Sequence, residues 1–410
     1  MYLIASSLAA ALLDRLFEYP LDYEMRREIR SALVVCTRRI GDVLLATPVV
    51  RSLRTAYPQA AIDMLVFDGT QDVVSSWPEL RRIWTIPERP GIRLHLALLW
   101  SLWRKYDLSL SLLAGDRPTF HAWVAGRHRV GTLLTDNKSR WKRSLLDEWV
   151  PFDNLNTHTV AMNLRLLEHL DVAPLPTPVV SWSRVDEESV RRVLPGVDGI
   201  QRYAVLHVSP KFVYKTWTVA GWVALGQWLV DRGMTVVVTG GAASDEQAYS
   251  ENVIQRLPAA TVNLVGRARL PALGYLLSRA ALYVGTDTAV SHMAAAVGVP
   301  TIVLFGPSNP VKWGPWPKDF PATASSPWKK HGSQRQRNVF LIQGEAECVP
   351  CLHEGCDRHI NSLSDCLQKL PGIRVIQAAE VMLAGQEDRV HTKGVPIACT
   401  PSVGCEDEAG

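Results

Sequence analysis

The stretch ALYVGTDTAVSHMAAAVGVPTIVLFGP, residues 281–307, reads as strand, turn, helix, strand. A β-rich run ends at Gly285, small polar residues make a turn, an Ala-rich helix opens at once and stops at Gly298, and a second apolar run begins at Thr301. Two apolar strands joined through one helix form a βαβ crossover, which requires a parallel sheet covered on both faces. Upstream, YAVLHVSP (203–210), WVALGQWLVDRG (222–233), MTVVVTGG (234–241), SDEQAYSENVIQRL (244–257), TVNLVG (261–266) and ALGYLLSRA (272–280) continue the alternation, with Ser244 and Gln247 at capping-box spacing. Further back, LVVCT (33–37), a helix over 43–58, AIDMLVF (61–67), a polar helix before Trp77 and DLSLSLL (107–113) make another such series. THTVAMNLRLLEHL (157–170) has leucines at helical spacing, and DVAPLPTPVV (171–180), with three prolines, is the expected interdomain linker.

The expected fold class is therefore α/β, with two Rossmann-like domains facing a central cleft. Ligands in such sheets bind at the carboxyl ends of the strands. The boundaries expected are an N-terminal amphipathic helix over 1–30, a first Rossmann-like domain over 31–178, a second over 179–384 and a disordered tail over 385–410. The 410 residues exceed what one core supports. A net charge of +4 leaves no broad electrostatic footprint for nucleic acid.

Residues 1–13 are apolar but interrupted by Asp14 and Arg15, short of the roughly 20 residues that span a bilayer. No basic residues precede the run as in a secretory signal. Leu8, Leu12, Leu13, Leu16 and Phe17 share one helical face, which either packs on the protein or lies in a membrane interface. Residues 92–103, IRLHLALLWSLW, are also too short to cross and fit a buried or partly membrane-facing helix.

Three segments carry candidate chemistry. In RRIGDVLLATP (38–48), Asp42 stands where a strand turns into a helix, and either caps that helix or faces a ligand as a general base. In the 284–310 block, Thr286, Asp287, Thr288 and Ala289 open a helix whose free N–H groups favour an anion, above all phosphate. His292 is either a buried helix histidine or a group that fixes the loop or meets the leaving group. In SPKFVYKTWTVAGW (209–222), Lys211 and Lys215 follow the first strand of the second domain, either solvated or set to stabilise charge on a departing diphosphate. Trp217 and Trp222 anchor the next helix.

Together with RPTFHAWVAGRHRVG (117–131), HTVAMNLRLLEHL (158–170) and LVGRARL (264–270), in this order and at this separation, these segments resemble the heptosyltransferases of glycosyltransferase family nine over about residues 33–385. The resemblance implies the glycosyltransferase B arrangement and inverting, metal-independent transfer of heptose from ADP-heptose to a lipopolysaccharide core acceptor. The absence of any Asp-x-Asp agrees on the last point. By position it implies Asp42 as base, Lys215 facing the phosphates, and Asp287, Thr288 and Ala289 in the nucleotide-sugar loop. Gly266 and Arg267 fall near the adenosine, Lys211, Thr286 and His292 also on the donor side. Arg39, Arg117, Arg127 and Arg129 fall on the acceptor side. A cytoplasmic enzyme, peripheral on the inner face of the inner membrane, with no nucleic-acid partner, is the corresponding expectation. Alternatives are a UDP- or GDP-sugar transferase acting on another cell-surface glycan, and a non-catalytic nucleotide-sugar-binding protein.

Four of the seven cysteines, Cys348, Cys351, Cys356 and Cys366, form C-x2-C-x4-C-x9-C with His353 and His359 between them. This set suits a reduced compartment and either a closed structural metal site, zinc above all, or packing of a loop by free thiols. No cofactor is expected to be needed for catalysis.

Overall fold

The computed structural model describes residues 29–198 and 202–393. The first sheet contains β1 (Ser31–Cys36), β2 (Ala61–Phe67), β3 (Arg82–Ile86), β4 (Tyr106–Ser111), β5 (Gly126–Leu133) and β6 (Glu148–Pro151), in the spatial order β3-β2-β1-β4-β5-β6 and parallel throughout. The second contains β7 (Tyr203–Ser209), β8 (Thr235–Gly240), β9 (Val262–Asn263), β10 (Leu282–Thr286), β11 (Thr301–Phe305), β12 (Gln334–Gln336) and β13 (Val339–Gln343), in the order β12-β13-β11-β10-β7-β8-β9. Without the antiparallel edge strand β12, it repeats the order of the first, the arrangement of a dinucleotide-binding fold. Both sheets thus place a switch point, β1/β4 and β7/β10, where loops diverge at the carboxyl edge.

The helices are α1 (Ile40–Ala56), α2 (Ile92–Leu102), α3 (Asp116–Ala125), α4 (Thr159–Leu164), α5 (Arg184–Val193), α6 (Val219–Val230), α7 (Ser244–Ile254), α8 (Leu270–Arg279), α9 (Ala289–Val297), α10 (Pro310–Trp313), α11 (Asp365–Gln368) and α12 (Gly372–Lys393). Strand alternation divides the cores. In β1, Ala32, Val34 and Cys36 face α1, whereas Leu33 and Val35 join Trp84, Leu98, Leu102 and Tyr106 under α2 and α3. The α1 side is continuous with the second lobe: Tyr283, Val290, Met293, Ala294 and Trp316 belong to the same apolar cluster. The lobes are joined by a core as well as by a chain connection.

Local chemistry explains how α1 tolerates Pro48. Proline has no N–H for the carbonyl of Leu44, four residues back, and the Thr47 hydroxyl donates to that carbonyl at 2.7 Å. The same Thr47 oxygen accepts from the Val179 N–H at 2.7 Å, and Ser52 accepts from Leu175 N–H at 2.8 Å. The Pro-rich segment 171–180 is therefore strapped along α1.

Several sequence expectations change. The helix over 157–170 divides into α4 and a 3-10 segment, Arg165–Leu170, that ends at the left-handed Asp171. The helix before Trp77 is a 3-10 turn, Gln71–Val74. The strand in TVNLVG shortens to Val262–Asn263. No capping box forms at Ser244, because Ala243 is the N-cap of α7 without a side-chain bond; the Ser183 and Asp186 pair at the start of α5 forms one. The tail expected from 385 does not begin there, since α12 continues to Lys393. The expected helix over 1–30, apart from its last two positions, and residues beyond 393 lie outside the described residues. Among the described residues no helix is long and apolar enough to cross a membrane.

Thr47→Val keeps shape but removes one acceptor and one donor from buried backbone partners, which is expected to cost roughly 1–3 kcal/mol. Urea unfolding of the variant against the unaltered chain checks this.

Candidate active site between the two lobes

The turn after β1 starts α1 with Arg39 as N-cap and no cap from the Arg39 side chain, so Asp42 is the third residue of the helix and its carboxylate accepts from the Arg39 backbone N–H. Its carboxylate is 7% exposed and lies in a small cavity with Cys36, Asn163, Lys312 and Trp313. Burial pushes the Asp42 carboxyl above the ordinary range, and Arg38, Arg39, the Arg39 backbone N–H and Lys312 act against that rise. Arg38 Nε is 3.7 Å from the carboxylate. The result is an acid more basic than an exposed aspartate yet held toward ionisation by surrounding cations.

Beside this cavity, and sharing Arg38, Leu113 and Phe152 with it, lies a larger one of ≈ 600 Å³ at the carboxyl edge of the first sheet. Arg38, Arg89 and Arg117 supply its positive charge, Glu88 and Asp116 its carboxylates. Arg117 also donates to the Glu88 carbonyl, which ties the start of α3 to the loop before α2.

Across the cleft, β10 ends at Thr286 and α9 begins after Thr288. A Cβ placed on Gly41 would lie 3.9 Å from Ala289 and from the His292 ring, so the first turns of α1 and α9 are in direct contact distance. Lys215 Nζ is 2.5 Å from Asp287 Oδ2 and also donates to the Asp287 carbonyl at 3.3 Å. Burial raises the Asp287 carboxyl, but Lys215 outweighs it and holds the group below its usual range. Burial brings His292 down to about 4, so its ring is neutral at physiological pH. Its Nδ1 and the Thr286 hydroxyl are buried without hydrogen-bond partners among the described residues.

The remaining expected residues divide. Arg39 stands 4.7 Å over the ring of Phe212, and Lys211 is 6.0 Å from the same ring, so the β7 loop meets the β1 turn across the lobes. Gly266 has φ +66 and would bring a Cβ within 2.8 Å of Gln247, which explains the glycine; Arg267 beside it is exposed. Arg129 is a correction. It lies toward the amino end of β5, is 8% exposed and makes a two-pronged pair with Asp147 at 2.8 and 2.7 Å, leaving it outside the cavity. Its guanidinium is committed to holding β5 to the loop before β6. Trp217 and Trp222 are buried edge to face at 5.0 Å under α6.

Lys312 is the residue that sequence reading missed. It is 2% exposed, donates to the Asp153 carbonyl at 3.2 Å and lies 4.4 Å over Phe152, so α10 of the second lobe delivers a cation to the Asp42 cavity. Burial and Arg38 bring it down to about 8, with Asp153 and Asp42 opposing. Its signal was present in SNPVKWGPW, a lone lysine among prolines and tryptophans just after a strand's carboxyl end.

The cysteines do not assemble as a metal set. Burial raises the Cys366 thiol to about 11, and Cys351, Cys356 and Cys348 add to the rise, so the four sulfurs share a neighbourhood. Cys348 and Cys356 are exposed, however, and no group of three or more His, Cys, Asp or Glu among the described residues is placed to hold an ion. The thiols fit loop packing: Cys366 lies under Gly306, and Cys356 Sγ accepts from the Asp365 N–H at 3.3 Å.

Comparison with known proteins agrees with this architecture. The sequence profile of glycosyltransferase family 9 (heptosyltransferase) matches residues 102–341. Lipopolysaccharide heptosyltransferase 3 of Escherichia coli K12 is 29% identical over 84% of this chain and 95% of its own length. Among solved structures, a family 9 glycosyl transferase from Veillonella parvula superposes with a TM-score of 0.70 at 18% identity, covering 88% of this chain and 99% of that one. The E. coli ADP-heptose lps heptosyltransferase II gives 0.66 at 20% identity, covering 87% and 99%. Two Rossmann-like lobes of the glycosyltransferase B type, together with the profile match over more than half its length, show that the chain belongs to glycosyltransferase family 9, the heptosyltransferases, and is a glycosyltransferase.

Proposed function

We propose that this enzyme transfers heptose from ADP-heptose to a phosphorylated lipopolysaccharide core acceptor, with inversion, at the cytoplasmic face of the inner membrane. The donor and acceptor classes follow the named relatives. The observation that carries the catalytic reading is the juxtaposition at Gly41: the turn that bears the buried Asp42 approaches Ala289 and His292 of α9, and the Asp42 cavity shares Arg38, Leu113 and Phe152 with the ≈ 600 Å³ cavity.

The step balances simply. Asp42 takes the proton of an acceptor hydroxyl as that oxygen bonds to the anomeric carbon. The bond from that carbon to the diphosphate oxygen breaks, and ADP departs with the electron pair. Lys215, held by Asp287, and the free N–H groups opening α9 bear the charge gathering on the diphosphate, with no metal in the step. Thr286, Thr288, Ala289 and His292 shape that turn, and Gly266, Arg267 and Lys211 border the nucleotide. On the other side, Arg38, Arg89 and Arg117 meet the anionic acceptor, while Arg39 on Phe212 helps join the lobes. Lys312 keeps Asp42 ionised from across the cleft.

Calorimetry is expected to show ADP bound in preference to UDP; preference for UDP would reject the donor assignment. Asp42→Asn is expected to lower turnover by about 10²–10⁴-fold while ADP affinity stays near that of the unaltered enzyme. An active Asn variant ends the base assignment. Lys312→Met removes a positive charge that lowers the Asp42 pKa, so the acid limb of the rate profile is expected to move to higher pH. The ammonium is charged below about 8, so the effect spans that limb.

A further inference from the structure

The outer side of the first lobe carries an apolar face that the transfer reaction does not use. In α2, Leu98 and Leu102 turn inward to Trp84 and Tyr106, but Ile92, Leu96, Trp100 and, just past the helix, Trp103 form a second stripe, at steps of four, four and three residues. Their exposures are 71%, 57%, 85% and 54%. Trp103 meets Trp123 of α3 edge to face at 6.4 Å, and Trp123 stacks on Phe120 at 5.5 Å, so the face continues onto α3. Single exposed hydrophobics are ordinary; a continuous stripe with two exposed tryptophans marks a contact surface.

The charge around this stripe says what covers it. From residue 89 to 105 the chain contains Arg89, Arg93, Arg104 and Lys105 and no Asp or Glu. Arg127, with 69% of its side chain exposed and 3.7 Å from Asp107, lies near Arg104, whose pKa burial lowers first, then Arg129 and Arg127, with Asp147 opposing. A basic border around tryptophan and aliphatic side chains complements an anionic headgroup layer over acyl chains. The helix, 11 residues long, can lie in that layer but not cross it.

We propose that the α2–α3 face docks on a bilayer containing anionic lipid. The α2 end of the face adjoins Arg89, which lines the ≈ 600 Å³ cavity, so docking brings the cavity mouth beside the membrane. A lipid-anchored acceptor then enters without leaving the bilayer; this part rests on the acceptor reading above.

Co-sedimentation of the full chain with vesicles of phosphatidylcholine alone, and with phosphatidylglycerol added, tests the proposal. Salt-sensitive binding to the anionic vesicles is expected. Trp100→Ser combined with Leu96→Ser, and separately Arg93→Glu, are each expected to weaken it by roughly fivefold or more. Transfer to a soluble, deacylated acceptor fragment is expected to be unchanged in both, and this readout keeps failure of docking distinct from failure of the transfer assignment. Unchanged vesicle affinity in both variants overturns the proposal and moves any membrane contact elsewhere, including residues 1–28. A chain that ignores vesicles but dimerises through this face, with the dimer lost in the variants, overturns it in favour of self-association.

Discussion

The close approach of α1 and α9 is the constraint on which the site depends. Gly41 leaves only 3.9 Å between a would-be Cβ and Ala289, and this spacing sets the turn that carries Asp42 beside the opening of α9. The contact is maintained by a shared apolar cluster that runs from β1 and α1 through Tyr283 and Met293 to Trp316. The segment 171–180, bonded to Thr47 and Ser52, keeps the connection along α1.

Charge in the cleft is arranged asymmetrically. Asp42 is desolvated but faces Arg38, Arg39 and Lys312. Asp287 is equally buried but spends its charge on Lys215, orienting an ammonium toward the turn. Two aspartates in similar turns of two similar sheets thus acquire different chemistry from their neighbours.

Much of the fold was legible because alternating apolar runs and Gly or Pro stops define parallel βαβ units locally. The strands read from the pattern fall where it put them, apart from the shortened β9, and the 281–307 block matches β10, α9 and β11, whereas β3, β5, β6, β12 and β13 were not read from it. Legibility was lower where long-range packing decides. The 157–170 helix is anchored at its start, where His158 and Thr159 bond to the Gly314 and Lys312 carbonyls of the other lobe, and it turns 3-10 from Arg165. Arg129 looked free to bind an acceptor until Asp147 was seen to occupy it. The cysteine spacing left open a ligand set or loop packing by thiols, and among the described residues no group of three or more potential ligands assembles.

The sequence by itself determined that both lobes are built from parallel βαβ units and where the turns that carry Asp42, Lys215 and Asp287 fall, because hydrophobic period and turn residues act over a few positions. Only the tertiary structure decided which charges meet. Lys312 reaches the Asp42 cavity from a residue 270 positions away, Lys215 pairs with Asp287 across 72, and α2 leaves one of its two apolar faces uncovered. Electrostatics and exposure depend on distance in space, and that distance is set when the two lobes share one core.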